Sequence, residues 1–157
     1  RTQFDFLREN EIVTQADMDA FQSRTEESLA KLMKQRTILN VRKKRRQHLY
    51  TALADAEALA PSKALYEEGL TGMEAEFEKY MEAVKQLEKC GISAERLTEE
   101  KAEIYEQLAS LNREIRAERR KLKLCREICQ QTPAMEQDIQ KTEEHQKEVQ
   151  EHEHRRR

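Results

Sequence analysis

From Ser93 to Gln131 the apolar residues return in alternating steps of four and three, with no Pro or Gly to interrupt them. Starting at Leu97 the row runs through Lys101, Ile104, Leu108, Leu111, Ile115, Glu118, Leu122, Cys125 and Cys129, and only Lys101 and Glu118 are not apolar. A 3.5-residue period held over this length predicts a helix that buries a narrow seam against a partner helix along most of its length.

A second long helix is predicted upstream. Thr14-Gln15-Ala16-Asp17 has the spacing of a capping box, with Asp in place of the usual Glu or Gln, and nothing halts the helix before Ala60-Pro61. Its apolar stripe holds one phase through Met18, Phe21, Leu29, Leu32 and Leu39, then drifts to Ile38, Val41, Leu49, Ala56 and Leu59. Such a drift is a stutter, or a change of neighbour midway.

Shorter elements surround these two. Residues 2–9 suit one or two helical turns with Phe4, Phe6 and Leu7 seeking an apolar surface. Pro61 and Ser62 are expected to break the second helix, with Ser62 capping a short helix that ends at Gly69. Thr71-Gly72 opens another, carrying Met73, Phe77, Tyr80, Met81, Val84 and Leu87 on one face; Gly91 closes it and Ser93 caps the seam helix. Thr132-Pro133 is a cap followed by Pro, so a last helix can begin there, in an acidic tail whose only large apolar residues are Met135, Ile139 and Val149. That tail is expected to fray or to need a neighbour.

The expected fold is therefore all-α: a long antiparallel coiled-coil hairpin with a small helical cap inserted between the two long helices. Residues 1–131 form the elongated module and residues 132–157 an acidic helical or disordered tail. Self-association competes with the hairpin, because a seam does not record whose helix fills it.

Composition fits this picture. Hydrophobic residues make up 37% of the chain and charged residues 38%, with no Trp and only three Gly and two Pro, which suits long helices around a thin core. The net charge of −2 gives no global attraction to nucleic acid, so any such surface must be local. Three Cys without framework spacing and no 18-residue apolar run suggest a cytoplasmic setting without membrane insertion. The chain opens on Arg1 rather than Met, as a piece cut from a longer protein would.

Local basic surface is present twice. Arg42, Lys43, Lys44, Arg45 and Arg46 are consecutive, and Arg116, Arg119, Arg120, Lys121 and Lys123, flanked by Arg113 and Arg126, make a second cluster against Glu114 and Glu118. Such density suits weak, non-specific contact with DNA phosphates; it equally suits a solvated coiled-coil flank held in ion pairs. No aromatic residues interleave with these cations, which argues against base stacking. Cys125 and Cys129 fall on the seam and read as core, and His145, Glu148, His152 and His154 do not compose a designed metal site, so no cofactor or metal is expected. Neither a phosphate loop nor a nucleophile set beside a suitable base is found, and no catalytic residue is assigned.

The order of segments resembles the helical region that follows the nuclease domain in relaxases, the mobilisation nucleases of bacterial plasmids and conjugative transposons. The residues carrying the resemblance are Phe4-Asp-Phe-Leu-Arg-Glu-Asn10, Leu65-Tyr-Glu-Glu68, Phe77-Glu-Lys-Tyr80 running to Leu87-Glu-Lys-Cys-Gly91, and Leu97-Thr-Glu-Glu-Lys101 through Tyr105, Leu111 and Arg116 to Ile128. The resemblance implies a non-catalytic accessory segment that supports DNA transfer through DNA or partner contacts, while an upstream domain nicks the strand. The alternative is a purely structural coiled coil that dimerises or docks a protein partner.

Overall fold

The computed structural model describes residues 2–155, with side chains through Gln131. It is all-α. Four helices follow in order: α1 (Gln3–Glu9), α2 (Gln15–Glu67), α3 (Glu74–Cys90) and α4 (Ala94–Arg155), and no strand occurs among the described residues.

The helix starts are set by local side-chain chemistry. The Thr2 hydroxyl accepts from the Asp5 amide at 3.3 Å. At α2 the capping box closes in both directions: the Asp17 amide donates to Thr14 Oγ1 at 3.1 Å, while Asp17 Oδ2 accepts from the amides of Thr14 and Val13, each at 3.0 Å. Those amides, Thr14 first, hold the Asp17 carboxyl below its usual range. Ser93 Oγ accepts from the Arg96 amide at 3.1 Å and starts α4. Gly91 ends α3 in the left-handed conformation at φ 70°.

By its contacts the chain divides into two units, one of residues 1–31 with 115–157, the other of residues 32–114. In the first, Ile12, Met18, Phe21, Cys125 and Ile128 are buried together, with Phe6, Leu7 and Cys129 packed around them. The Phe6 and Phe21 rings meet edge to face at 5.5 Å. Burial pushes the Cys125 thiol pKa up, and the neighbouring Cys129 adds to the shift, so Cys125 sits here as a small hydrophobe. Phe4 stays exposed.

In the second unit Leu49, Tyr50 and Leu97 form the buried centre, with Leu53, Leu87, Cys90 and Ile92 against it. Arg36 Nη1 donates to Asn112 Oδ1 at 3.2 Å and Arg46 Nε to Glu100 Oε1 at 3.0 Å, so residue number rises on α2 as it falls on α4.

The α4 seam lies where the heptad puts it: Leu97, Ile104, Leu108, Leu111, Ile115, Leu122 and Cys125 are all buried, and Lys101 and Glu118 are half-buried. At its far end the phase slips by one residue, so that Ile128 is buried and Cys129 half-buried. An α-helix has 3.6 residues per turn, and a 3.5-residue seam drifts across its face.

Four expectations need correction. α2 does not break at Pro61 but continues to Glu67. Proline in a helix removes an N–H and crowds the preceding turn, at a cost of about 3 kcal/mol. Contacts beyond it offset that cost: Tyr66 stacks on Phe77 with centroids 4.1 Å apart, and Lys63 Nζ lies 3.4 Å from Glu67 Oε1 and 5.4 Å from the Tyr80 ring. The stop comes at Gly69, at φ 93°, where the Leu70 amide donates back to the Leu65 carbonyl.

The shifted α2 phase holds only in its later part, where Leu49 is buried and Ala56 and Leu59 are half-buried. Ile38 and Val41 are 53% and 43% exposed, and burial resumes at Leu49, Tyr50 and Ala52. On α3 the expected face is half-buried at Met73, Phe77, Tyr80, Val84 and Leu87, but Met81 is exposed and the buried residue is Ala83. Finally α4 passes Thr132-Pro133 without a new start. The side chains proposed for the acidic tail, His145, His152 and His154 among them, lie outside the described residues.

Candidate nucleic-acid interface

The two basic stretches sit on regular helix, one in each unit, and the structure treats them differently. On α2, Arg46 and Lys43 are half-buried, whereas Arg42, Lys44 and Arg45 are exposed. Arg46 and Tyr50 are one turn apart and converge on a single carboxylate oxygen: Glu100 Oε1 accepts from Arg46 Nε at 3.0 Å and from Tyr50 Oη at 3.1 Å. Tyr50 is only 2% exposed. Its burial, with the Glu100 hydrogen bond and charge behind it, pushes the phenol up to about 12. Lys43 Nζ stands 4.7 Å from the Tyr105 ring centroid, and Lys101 reaches the same ring from 5.5 Å. Arg42 stays in solvent, with its charge opposing the upward shift of Tyr50.

On α4, Arg116, Arg119, Arg120 and Lys123 are all exposed. Their spacing of three, four and seven places them on one helical stripe, and Arg126, also exposed, extends it by a turn. The stripe runs beside the buried row of Ile115, Leu122 and Cys125: Arg119 and Arg126 flank that row one turn on from Ile115 and Leu122, and Arg116, Lys123 and Arg120 lie further round the helix. Among the described residues none of these five cations has an ion-pair partner. Lys121 differs: it turns to the seam side and bridges Glu118 at 3.0 Å. From Arg116 to Arg126 the stripe is about 15 Å long at 1.5 Å per residue.

In the sequence all ten candidate cations look alike, and nothing there singles out Glu100, the residue that fixes Arg46. Arg46 and Tyr50 at i, i+4 give a weak hint of a shared acceptor, but the acceptor lies far along the chain on another helix, and only cross-helix register reveals it. Arg36 with Asn112 was missed for the same reason.

An arrangement of this kind does electrostatic work. Exposed, unpaired guanidinium and ammonium groups along one flank of a helix can displace counterions from a phosphate backbone. Cys125 and Cys129 are neighbouring free thiols and Cys90 belongs to the other cluster, and among the described residues no three His, Cys, Asp or Glu side chains come together as metal ligands. No described helix is long and apolar enough to cross a membrane. Neither a protein-family model, nor a curated protein, nor a solved structure matches this chain.

Proposed function

We propose that this chain is a non-catalytic helical accessory segment of a relaxase-type DNA-mobilising protein, working in the cytoplasm, and that it supports transfer by weak, sequence-independent contact with DNA. The observation that carries the reading is the α4 stripe: Arg116, Arg119, Arg120 and Lys123 are exposed, aligned and without ion-pair partners among the described residues. Cations that served only to staple helices would be expected to face carboxylates, as Arg46 does. The relaxase assignment rests on the segment-order resemblance, and the long helices are read with it as a coiled-coil hairpin.

The test is fluorescence anisotropy of labelled duplex titrated with the full chain over a series of salt concentrations. Binding should appear at low salt, be equal for unrelated sequences, and weaken with a log–log slope of roughly 0.9 per phosphate contacted, so about 3 to 4 for this stripe. Absence of binding at low salt would sink the reading.

A second reading, a structural coiled coil that docks a protein, is favoured by the α2 block. There Arg46 and Lys43 are already engaged inside the fold.

A further inference from the structure

In a chain so heavily charged, one stretch of unit 32–114 carries no charge. A groove of about 390 Å³ between α2 and α4 is lined by Gln35, Ile38, Leu39, Gln107, Ser110 and Leu111. Leu39 and Leu111 form its floor, and Ile38 stands over half exposed on one bank.

The banks become charged on either side of this neutral centre, and they carry opposite signs. Along α2 the row through Ile38 continues one and two turns on to Arg42 and Arg45, with Lys34 one turn before it; all three are exposed. Along α4 the row through Gln107 and Ser110 is bounded by Glu103 and Glu114 at the same helical spacing, with Glu106 beside it; these too are exposed. One bank is therefore basic at both ends and the other acidic at both ends. The contacts Arg36–Asn112 and Arg46–Glu100 fix their relative level. By that register Lys34 lies within a turn of Glu114, Ile38 of Ser110, Arg42 of Glu106 and Arg45 of Glu103.

We propose that this face binds a second copy of the chain, in a two-fold arrangement whose axis runs parallel to the helices. Such a rotation exchanges left for right and leaves level unchanged, so α2 of each copy faces α4 of the other. The second copy's Arg45 then meets Glu103, its Lys34 meets Glu114, and its Ile38 enters the neutral groove over Leu111. The result in this unit is a four-helix packing with oppositely directed neighbours. Charge pattern selects this occupant. A basic partner would be repelled by the α2 bank and an acidic one by the α4 bank, whereas a copy of the same face matches both. The apolar centre is small, so the dimer is weak and dependent on concentration.

Sedimentation equilibrium of the full chain over a concentration series tests this. The expected result is a monomer–dimer equilibrium. Ile38→Glu, at an exposed position where helicity by circular dichroism is retained, should leave only monomer. Arg45→Glu and Glu103→Arg should each raise the dissociation constant about tenfold or more, since each change occurs twice in the interface. Combining the two in one chain should restore dimerisation. A monomer at every concentration, a dimer indifferent to Ile38→Glu, or a double swap that fails to recover would each overturn the proposal. None of these readouts involves DNA, so the outcome is separate from that of the DNA-contact reading.

Discussion

Arg46 and Arg119 both sit in dense basic runs on long helices, yet one is spoken for and the other is not. Arg46 shares a carboxylate oxygen with a buried tyrosine, and its neighbour Lys43 rests over Tyr105. Arg119 lies on an outward stripe with Arg116, Arg120 and Lys123, without an ion-pair partner among the described residues. The difference comes from placement relative to the packed face. On α2 the basic run is consecutive, so it wraps around the helix and some of its members must meet the neighbour. On α4 the cations recur at three and four residues, so they line up along one flank of the helix beside the seam and stay exposed. Charge density alone is thus a poor guide to which cations stay exposed and unpaired; periodicity is a better one.

The sharpest way to break this comparison is paired charge reversal. Changing Arg119, Arg120 and Lys123 to Glu removes three phosphate contacts and should lower the salt slope of duplex binding by roughly 2.7, which near 0.1 M salt is a loss on the order of several hundredfold. Arg42, Lys44 and Arg45 are exposed too, but a consecutive run spreads them around α2, so the same number of reversals there should change affinity less while helicity is held. Equal losses from both triples would erase the distinction between the two regions.

How far the distinction could be read in advance depends on the range of the interactions. Thr14 with Asp17, Ser93 with Arg96, and Gly91 are local devices, and their spacing announces them. The α4 seam is likewise a one-helix property, and Ile128 escaped only because the period drifts. Pro61 misled because tertiary contacts from Tyr66 and Lys63 override a local preference. Ile38 and Val41 misled because apolar character was taken for burial, whereas they stand exposed. Of the candidate cations, the identity of each was plain and its fate was not, since whether Arg46 or Lys43 finds a partner is decided by residues more than fifty positions away on α4.

A smaller effect separates the regions by stability instead of affinity. Glu100→Ala leaves the buried Tyr50 hydroxyl without its acceptor and frees Arg46, and should cost about 1 to 3 kcal/mol in urea unfolding. Arg119→Ala, by contrast, should stay within about 0.5 kcal/mol of the parent. A large cost for Arg119→Ala would mean that the stripe is structural after all.

Tyr50 also gives the α2 region an alkaline signature. Its phenol is pushed up to about 12 from an ordinary value of 10 in the unfolded chain. Between those values the folded state keeps a proton that the unfolded state has lost, so stability must fall as pH rises through that window. Tyr50→Phe should flatten the thermal stability profile across that window, from about pH 10 to about pH 12. An unchanged slope in the Phe variant would assign the alkaline loss to other groups.

The smallest expected effect lies inside the α2 block itself, between Lys43 and its neighbour Lys44. Lys43 sits over the Tyr105 ring and is half-buried, whereas Lys44 is exposed with no aromatic partner. An ammonium over an aromatic face at a partly exposed site is worth about 0.5 to 1 kcal/mol. Because Lys101 approaches the same ring, Tyr105→Leu alone would report on both cations. A double-mutant cycle with Lys43→Met isolates the pair and should return a coupling of about 0.5 kcal/mol. The same cycle run with Lys44→Met should return none. If Lys43 is uncoupled as well, its half-buried position reflects packing of the side-chain stem, and Arg46 is left as the one cation of that block held by charge.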